Sequence, residues 1–432
     1  MKKIFILIFI SLFLMPLFVF AEEETDELSE TEELHLEGDY DEYYSDYDWD
    51  ELADEKGKFR IKDRKVEIGF LHLNAGFSNN FLTTKMIFPK DGKMILDLEE
   101  LRKGFRINID AGLTPFYFTY NNNNLWGFGL TFAQIDMQGI FNLSGNMLSL
   151  SEVMNDKSDV SGAVFGTFQV PVFFHVDKFK VRVKPSFFYP VAYFKPNVSY
   201  SLNTDTGLLL DINYDAKIFT PISLAENADF KLSSKVGLDF HLGAEYPLAD
   251  VLGLTDMYSF LDFKVGVDII NLPMIRAQMK DYMRFSGQIG ESESFDIFDY
   301  DWDNLVKSDD VEYGEDLVKI LRPFKMLLWA DWKPFEKVPV NFVPALGFAL
   351  NPLYNKPASM EGGIKARFDL ANLFITTFGI GYHDRMWKNS FDMALNLRFF
   401  ELSLGVDMRS PSFGKSWTGG GFGANFGLKF GG

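Results

Sequence analysis

The sequence predicts an all-β protein: a closed antiparallel transmembrane β-barrel of about 14 strands, within a range of roughly 12 to 16, with a disordered acidic N-terminal extension. Three observations carry this. Apolar residues alternate with polar ones over unusually long stretches. No segment after the N-terminus holds the roughly 18 uninterrupted apolar residues of a membrane helix. The hydrophobic fraction is 47%, with 46 Phe, which is high for a chain with so little helical periodicity.

The stretch from Gly162 to Phe194 is the clearest case. Val164, Phe168, Val170, Val172, Phe174 and Val176 share one parity on its first arm. Phe179, Val181, Val183, Phe187, Tyr189, Val191 and Tyr193 do the same on the second. Successive side chains of a strand point to opposite faces, so this is a strand signal. A tight turn at Asp177-Lys178 sets Val176 against Phe179, Phe174 against Val181 and Val172 against Val183, with both apolar rows on one face. The opposite face carries Lys178, Lys180, Arg182, Lys184 and Ser186. Each arm is about twice the usual 5–6 residues, which suits tilted strands with one face to lipid and one to water.

The N-terminus divides from the rest by composition. Residues 1–21 read as a secretory signal: Lys2 and Lys3 at the charged end, Ile4 to Phe20 apolar, and Val19-Phe20-Ala21 as the cleavage site. With no cysteine in the chain, a lipoprotein anchor, a disulfide framework and a thiolate metal site are all excluded. Residues 22–55 contain eighteen Asp/Glu and no Lys/Arg, so the segment 22–58 reads as an acidic disordered extension. The barrel is expected over residues 59–432, interrupted by an acidic loop at 288–320. Residues 290–318 hold eleven Asp/Glu and one Lys. The net charge of −19 therefore belongs to a tail and a loop, and the remaining barrel is slightly basic.

Along the chain, Val66, Ile68 and Phe70 alternate before the phase slips to Leu71, Leu73 and Phe77. Phe105 to Leu113 and Trp126 to Phe132 flank an Asn121–Asn124 turn. After the long hairpin, Leu208 to Ile218, Phe230 to Leu248 and Leu261 to Ile269 alternate. A weaker, Met-rich strand near 275–287 leads into the acidic loop. The C-terminal third is a meander of strands around Phe324–Trp332, Val340–Leu350, Ile364–Leu370, Phe374–Tyr382, Phe391–Phe399, Leu402–Met408 and Phe422–Phe430.

With these features the chain resembles Gram-negative outer-membrane β-barrels: a leader, strands throughout, and an amphipathic aromatic last strand with Phe422, Ala424, Phe426, Leu428 and Phe430. The resemblance covers roughly residues 60–432. It implies the outer membrane as location, membrane lipid as surroundings, and recognition of the last strand by the barrel assembly machinery. Gly431-Gly432 extend past the terminal aromatic that such strands usually present. Size and strand number also resemble the long-chain fatty-acid transporter family, although the Asn-Pro-Ala hatch motif of that family is missing.

The search for catalytic residues returns none. Gly-x-Ser-x-Gly, His-Glu-x-x-His and Walker loops are lacking, and the five histidines (His35, His72, His175, His241 and His383) are scattered. His241 beside Asp239 reads as a solvated lumen histidine. No enzyme activity, cofactor, bound metal or nucleic-acid partner is expected. The row Lys178, Lys180, Arg182 and Lys184, about 7 Å apart along one face, either raises the local concentration of anionic solutes in a lumen or faces carboxylates such as Asp211, Asp215, Asp239 and Glu245. Asp46, Asp48 and Asp50 recur in pattern as Asp299, Asp301 and Asp303. The pattern is either solvated acidic peptide or a weak cation site, since the glycine and closing glutamate of a calcium loop are lacking. Pro171 and Pro185 fall opposite one another's strands and remove two ladder donors, which marks a candidate break in the wall.

Three functional readings follow. The first is passive passage of small solutes through the barrel. The second is fatty-acid-transporter-like uptake of hydrophobic molecules through a lateral wall opening. The third is a non-transporting surface or structural barrel whose acidic loop binds a partner.

Overall fold

The computed structural model describes residues 64–80, 104–122, 125–144, 159–176, 178–203, 209–221, 234–254, 259–290, 311–335, 338–418 and 420–432, all within a unit spanning Ile61–Gly432. The expected leader (1–21), the acidic extension (22–58), Asp46, Asp48, Asp50, Asp299, Asp301 and Asp303 lie outside them.

Alternation becomes nineteen strand segments. These are β1 (Val66–Asn79), β2 (Gly104–Asn122), β3 (Trp126–Ser144), β4 (Asp159–Gln169), β5 (Val172–Val176), β6 (Phe179–Phe194), β7 (Asn197–Asn203), β8 (Leu209–Thr220), β9 (Gly237–Tyr246) and β10 (Asp262–Ile275). They continue with β11 (Ala277–Gly290), β12 (Val311–Ile320), β13 (Phe324–Lys333), β14 (Val340–Leu350), β15 (Ala358–Leu370), β16 (Phe374–His383), β17 (Met386–Asn396), β18 (Phe400–Ser410) and β19 (Gly421–Gly431). Five wall strands are each built of two segments: β4 with β5, β6 with β7, β8 with β9, β10 with β11, and β12 with β13. The result is a closed barrel of fourteen antiparallel strands. No helix among the described residues is long and apolar enough to cross a membrane.

Closure is direct. Ile68 pairs with Phe430 and Phe77 with Phe422, so β1 runs antiparallel to β19. The two final glycines complete this seam: Gly431 faces Glu67, and the Gly432 carbonyl accepts from the Lys65 and Val66 amides. The phase slip after Phe70 is a bulge. The register shifts between Phe70 and Leu73, and Leu71 takes φ 52°, the extra residue that a bulge requires. The long hairpin keeps the expected register, with Val176 opposite Phe179, Phe174 opposite Val181 and Val172 opposite Val183.

Strand directions place Arg64, Leu125, Lys178, Gly432 and the short connections at 371–373 and 397–399 at one end of the barrel. The β14–β15 and β16–β17 connections, at 351–357 and 384–385, lie at the other end. Ala371 and Asn372 both have positive φ (52° and 54°), which gives the tight β15–β16 turn the twist that antiparallel strands favour.

The acidic segment expected as a loop over 288–320 is shorter. Residues 288–290 belong to β11 and residues 311–320 to β12. Charges that read as loop composition are cross-strand partners: Glu312 pairs with Arg284 at 3.0 Å and Asp316 with Lys217 at 2.8 Å, and Glu315 pairs with Lys280. Sequence composition cannot show a salt bridge to a residue 28 to 99 positions away.

Large apolar side chains cover the outside, including Leu328, Leu346, Phe378 and Val406, each more than half exposed. On those strands the residues between them, such as Ala345, Gly347, Thr377, Gly379, Gly405 and Asp407, are small or polar. If this face meets lipid, shape is unimportant and charge is costly. Val406→Leu should then be neutral for folding into bilayers, while Val406→Arg should cost about 2–4 kcal/mol. Equilibrium unfolding from lipid vesicles reads both. A penalty of about 1–3 kcal/mol for Val406→Leu would instead signal a packed protein interface.

Candidate functional site

The lumen is divided into a packed half and a polar half, and one side chain does most of the dividing. Between β12 and β13 the chain leaves the ladder at Leu321-Arg322-Pro323. Proline at 323 has no donor to give. Arg322 turns inward and reaches other wall strands: its Nε and Nη2 donate to the two Asp239 carboxylate oxygens on β9 at 2.8 and 2.6 Å. Nη2 also donates to Ser186 Oγ on β6 at 2.9 Å, and Nη1 to Thr167 Oγ1 on β4 at 3.2 Å. Asp136 on β3 stands 4.0 Å from Nη1, and the Phe188 ring lies 5.2 Å from the guanidinium carbon. Both members of the pair are almost wholly buried, with side chains 6% and 2% exposed. A buried ion pair is tolerated only when its remaining polar atoms are satisfied, and the fork-on-carboxylate geometry does that.

Against this clamp, inward apolar side chains from β3, β4, β6, β8, β11 and β12 pack into a core within the barrel: Ile140, Phe165, Phe188, Phe219, Met279 and Ile320 among them. The same core takes in Leu353 and Tyr354 from the connection between β14 and β15. That connection, residues 351–357, folds into the barrel. The Asn351 side chain caps its own turn by accepting from the Leu353 amide at 3.1 Å and donates to Gln138 on β3 at 3.1 Å. Ser161 Oγ on β4 donates to the Leu353 carbonyl at 2.7 Å. The Tyr354 hydroxyl accepts from Asn108 on β2 at 3.2 Å and donates to the Asp384 carbonyl at 3.3 Å. Arg385 stacks over its ring at 4.3 Å. Burial pushes the Tyr354 phenol well above its ordinary range, so it stays a neutral donor. Below the turn, Glu361 is buried and held by His383 Nδ1 and the Asp384 amide, both at 2.9 Å, with Lys325 bridging to Asp384 at 2.7 Å.

The other half carries many charged and amide side chains. A cavity of about 260 Å³ is lined by Asn74, Asp110, Asp136, Lys388, Arg409 and His383, among others. Arg409 donates to Asp110 and to Asp407, and Lys388 reaches Asp407 at 3.2 Å. Gly76 and Gly423 leave the room its guanidinium occupies; a Cβ at either would collide with it. Further along, Asn425 donates to Asp392 at 2.8 Å. At the terminal end, Arg64, Lys429, Glu67 and Glu401 form a network with contacts of 3.1 to 3.7 Å, joined by the Tyr117 hydroxyl on Glu67 at 3.0 Å. Inner residues of β17, β18, β19, β1 and β2 thus make a polar track. Its charges are mutually paired, so none stands as a deep trap for an ion of either sign.

The residues singled out from sequence fall around this division. Lys178 is exposed at the hairpin tip. Lys180 sits opposite Glu245 and Lys184 opposite His241. Arg182 bridges to Asp268 at 3.3 Å, and Asp268 also receives the Trp329 indole at 2.7 Å and stands 3.3 Å from His241 Nε2. Asp239 is committed to Arg322 rather than to its neighbour His241. Pro171 lies in the gap between β4 and β5. Its carbonyl accepts from Gly129 at 2.7 Å, and the Pro185 carbonyl accepts from Val170 at 3.1 Å. The ladder is also interrupted at a second place: β10 pairs with β13 as far as Ile270 opposite Lys325, and β11 resumes with β12 at Ala277 opposite Ile320. Asn271, with φ 54°, spans the interval by donating to the Pro323 carbonyl at 2.8 Å. Among the described residues, no group of three or more His, Asp or Glu is placed to hold a metal ion.

Sequence reading missed Arg322, Tyr354 and Arg409. The signals were present: a charged residue before proline inside an apolar run, and an Asn-Pro-Leu-Tyr-Asn turn whose apolar residues have no reason to face water.

No family model matches the chain, and no curated protein matches it. Among solved structures it is similar to the toluene transporter TodX of P. putida, with TM-score 0.44 and 10% identity over 86% of this chain and 90% of that one. The toluene transporter TbuX of Ralstonia pickettii gives 0.42 and 10% over 85% and 90%. The translocator domain of the autotransporter NalP from Neisseria meningitidis gives 0.32 and 5% over 85% and 89%.

The clamp makes a quantitative prediction. Asp239→Ala leaves a buried, uncompensated guanidinium and should destabilise the barrel by about 3–5 kcal/mol, whereas the double change Arg322→Met with Asp239→Leu should recover most of the loss. Unfolding in urea of the single and double variants tests the coupling, and additive losses would contradict it.

Proposed function

We propose that the protein is an outer-membrane channel for the passive passage of small polar solutes. The observation that carries this is the polar track along β17–β19, β1 and β2, set inside a closed wall whose outer face is apolar. A closed wall leaves no unsatisfied edge in lipid. Paired charges along the track let a hydrated solute pass without being held. In this reading the end carrying Arg64 and Gly432 faces the periplasm, the opposite end faces outward, and β19 is the strand offered to the assembly machinery.

The finer form of the proposal is a modest anion preference. Arg182 is tied to Asp268, and Lys184 stands deep in the wall, so the preference rests on Lys178 and Lys180 near the terminal mouth, where they act on approach rather than on binding.

A second reading, passage of apolar molecules through the wall, draws on the ladder interruption between 271–276 and 321–323. The packed apolar core lies on the lumen side of that interval.

Planar bilayers test the first reading. The purified barrel should give discrete conductance steps. Under a KCl gradient, the reversal potential should have the sign of chloride selectivity and move toward zero in Lys178→Gln/Lys180→Gln. Silent bilayers, with barrel folding verified by heat-dependent gel migration, would contradict a channel. They would favour the apolar route if vesicles still take up a hydrocarbon probe, and a non-transporting barrel if they do not.

A further inference from the structure

We infer that the lumenal cavity between β1–β3 and β16–β18 binds a neutral, polyhydroxylated solute of the size of a single sugar ring; the inference rests on the channel reading above and names its class of solute. At about 260 Å³ the cavity lies just below the roughly 300–1,000 Å³ of pockets that enclose drug-sized ligands, so it takes one small ring and not a chain. Its lining comes from both sides of the β19–β1 seam: Asn74, Asn108 and Gln138 on β1–β3, and His383, Lys388 and Arg409 on β16–β18.

Charge decides what does not sit there. Arg409 donates to Asp110 and Asp407, and Lys388 reaches Asp407 at 3.2 Å. Both Asp136 oxygens accept from the Gln134 amide at 3.0 Å. His383 Nδ1 meets Glu361 at 2.9 Å, and Lys325 meets Asp384 at 2.7 Å. An incoming anion would have to displace a carboxylate from Arg409 while facing Asp110, Asp136 and Asp407. An incoming cation finds each carboxylate of the described lining already partnered. Either would shed its hydration without gaining an unshared partner, which is the costly way for a charge to leave water. A neutral solute escapes both penalties.

What stays open on the lining is itself neutral. Asn108 Nδ2 is taken by the Tyr354 hydroxyl at 3.2 Å, which leaves its Oδ1 to accept. Gln138 Oε1 is taken by Asn351 at 3.1 Å, which leaves its Nε2 to donate. The Asn74 amide, seated in the room that Gly112 leaves, offers a donor and an acceptor together. A hydroxyl both donates and accepts, so neighbouring hydroxyls of one ring satisfy such a mixed set, whereas an ether or ester offers acceptors alone. Met386 lines the same cavity and is 7% exposed; it supplies apolar surface for the C–H face of a ring. Apolar surface with a few placed polar groups is how small-molecule sites fix their ligand.

Saturation-transfer NMR on the folded barrel, in micelles of a sugar-free detergent, reads weak binding whether or not the barrel conducts. Glucose, galactose, arabinose and myo-inositol are the probes. At least one should give a saturable signal that acetate and tetramethylammonium do not displace. In Asn74→Leu/Gln138→Met, with folding verified by heat-dependent gel migration, its apparent affinity should fall at least about tenfold, as expected for two lost neutral hydrogen bonds. Should that double variant fail to fold, Asn74→Ala alone should lower the affinity about threefold. In planar bilayers the same sugar should reduce the wild-type current, saturating at the concentrations that saturate the NMR signal.

A saturable signal from none of the four probes overturns the site, as does unchanged affinity in the variants. Displacement by acetate or tetramethylammonium overturns the neutral class. Conductance steps without sugar binding leave the channel and remove the site. Sugar binding with silent bilayers keeps the site and removes the channel.

Discussion

The bidentate contact between Arg322 and Asp239 fixes the interior of this barrel. A charge on a side chain that leaves the ladder beside a proline would be costly inside a wall of apolar and aromatic groups. It is tolerated because a carboxylate on β9, and hydroxyls on β6 and β4, meet it within 3.2 Å. Once the guanidinium is anchored there, β12 and β13 are held toward β4 and β6. The space between them becomes narrow enough for inward phenylalanines and methionines to touch. The packed half of the lumen is the consequence, and the loop of Leu353 and Tyr354 adds its apolar residues to a core that already exists.

Partition explains why the polar residues concentrate where they do. Around the β19–β1 seam the charges balance one another: Arg409 with Asp110 and Asp407, Lys429 and Arg64 with Glu67 and Glu401. On β6 Arg182 is treated the same way, held by Asp268. Paired charges stabilise a wall and leave a shallow electrostatic profile along it. That combination suits conduction of small solutes better than tight binding of one.

Much of the wall was legible in the sequence because a β-wall is a local pattern repeated. Alternation placed the strands, the phase slip after Phe70 marked the bulge at Leu71, and the Val176–Phe179 register followed from the turn alone. What lay hidden depends on residues far apart in the chain. Arg322 and Asp239 are 83 positions apart, and Tyr354 reaches a partner 246 positions away. Composition even pointed the wrong way over 311–320, where acidic residues that looked like loop are ladder strand held by Lys217, Lys280 and Arg284. Periodicity reports which face a residue takes. It does not report which residues meet across a lumen.

The division of the lumen is the central claim, and thiol accessibility tests it most directly in a chain without cysteines. Single cysteines at Asn425, on the polar track, and at Ala163, in the packed half, can be introduced into the folded protein in lipid vesicles and exposed to a small water-soluble thiol reagent. The account predicts rapid labelling at Asn425→Cys and protection at Ala163→Cys until the barrel is denatured. Comparable labelling at the two positions in the native protein would show a lumen open across its whole section and would contradict the account.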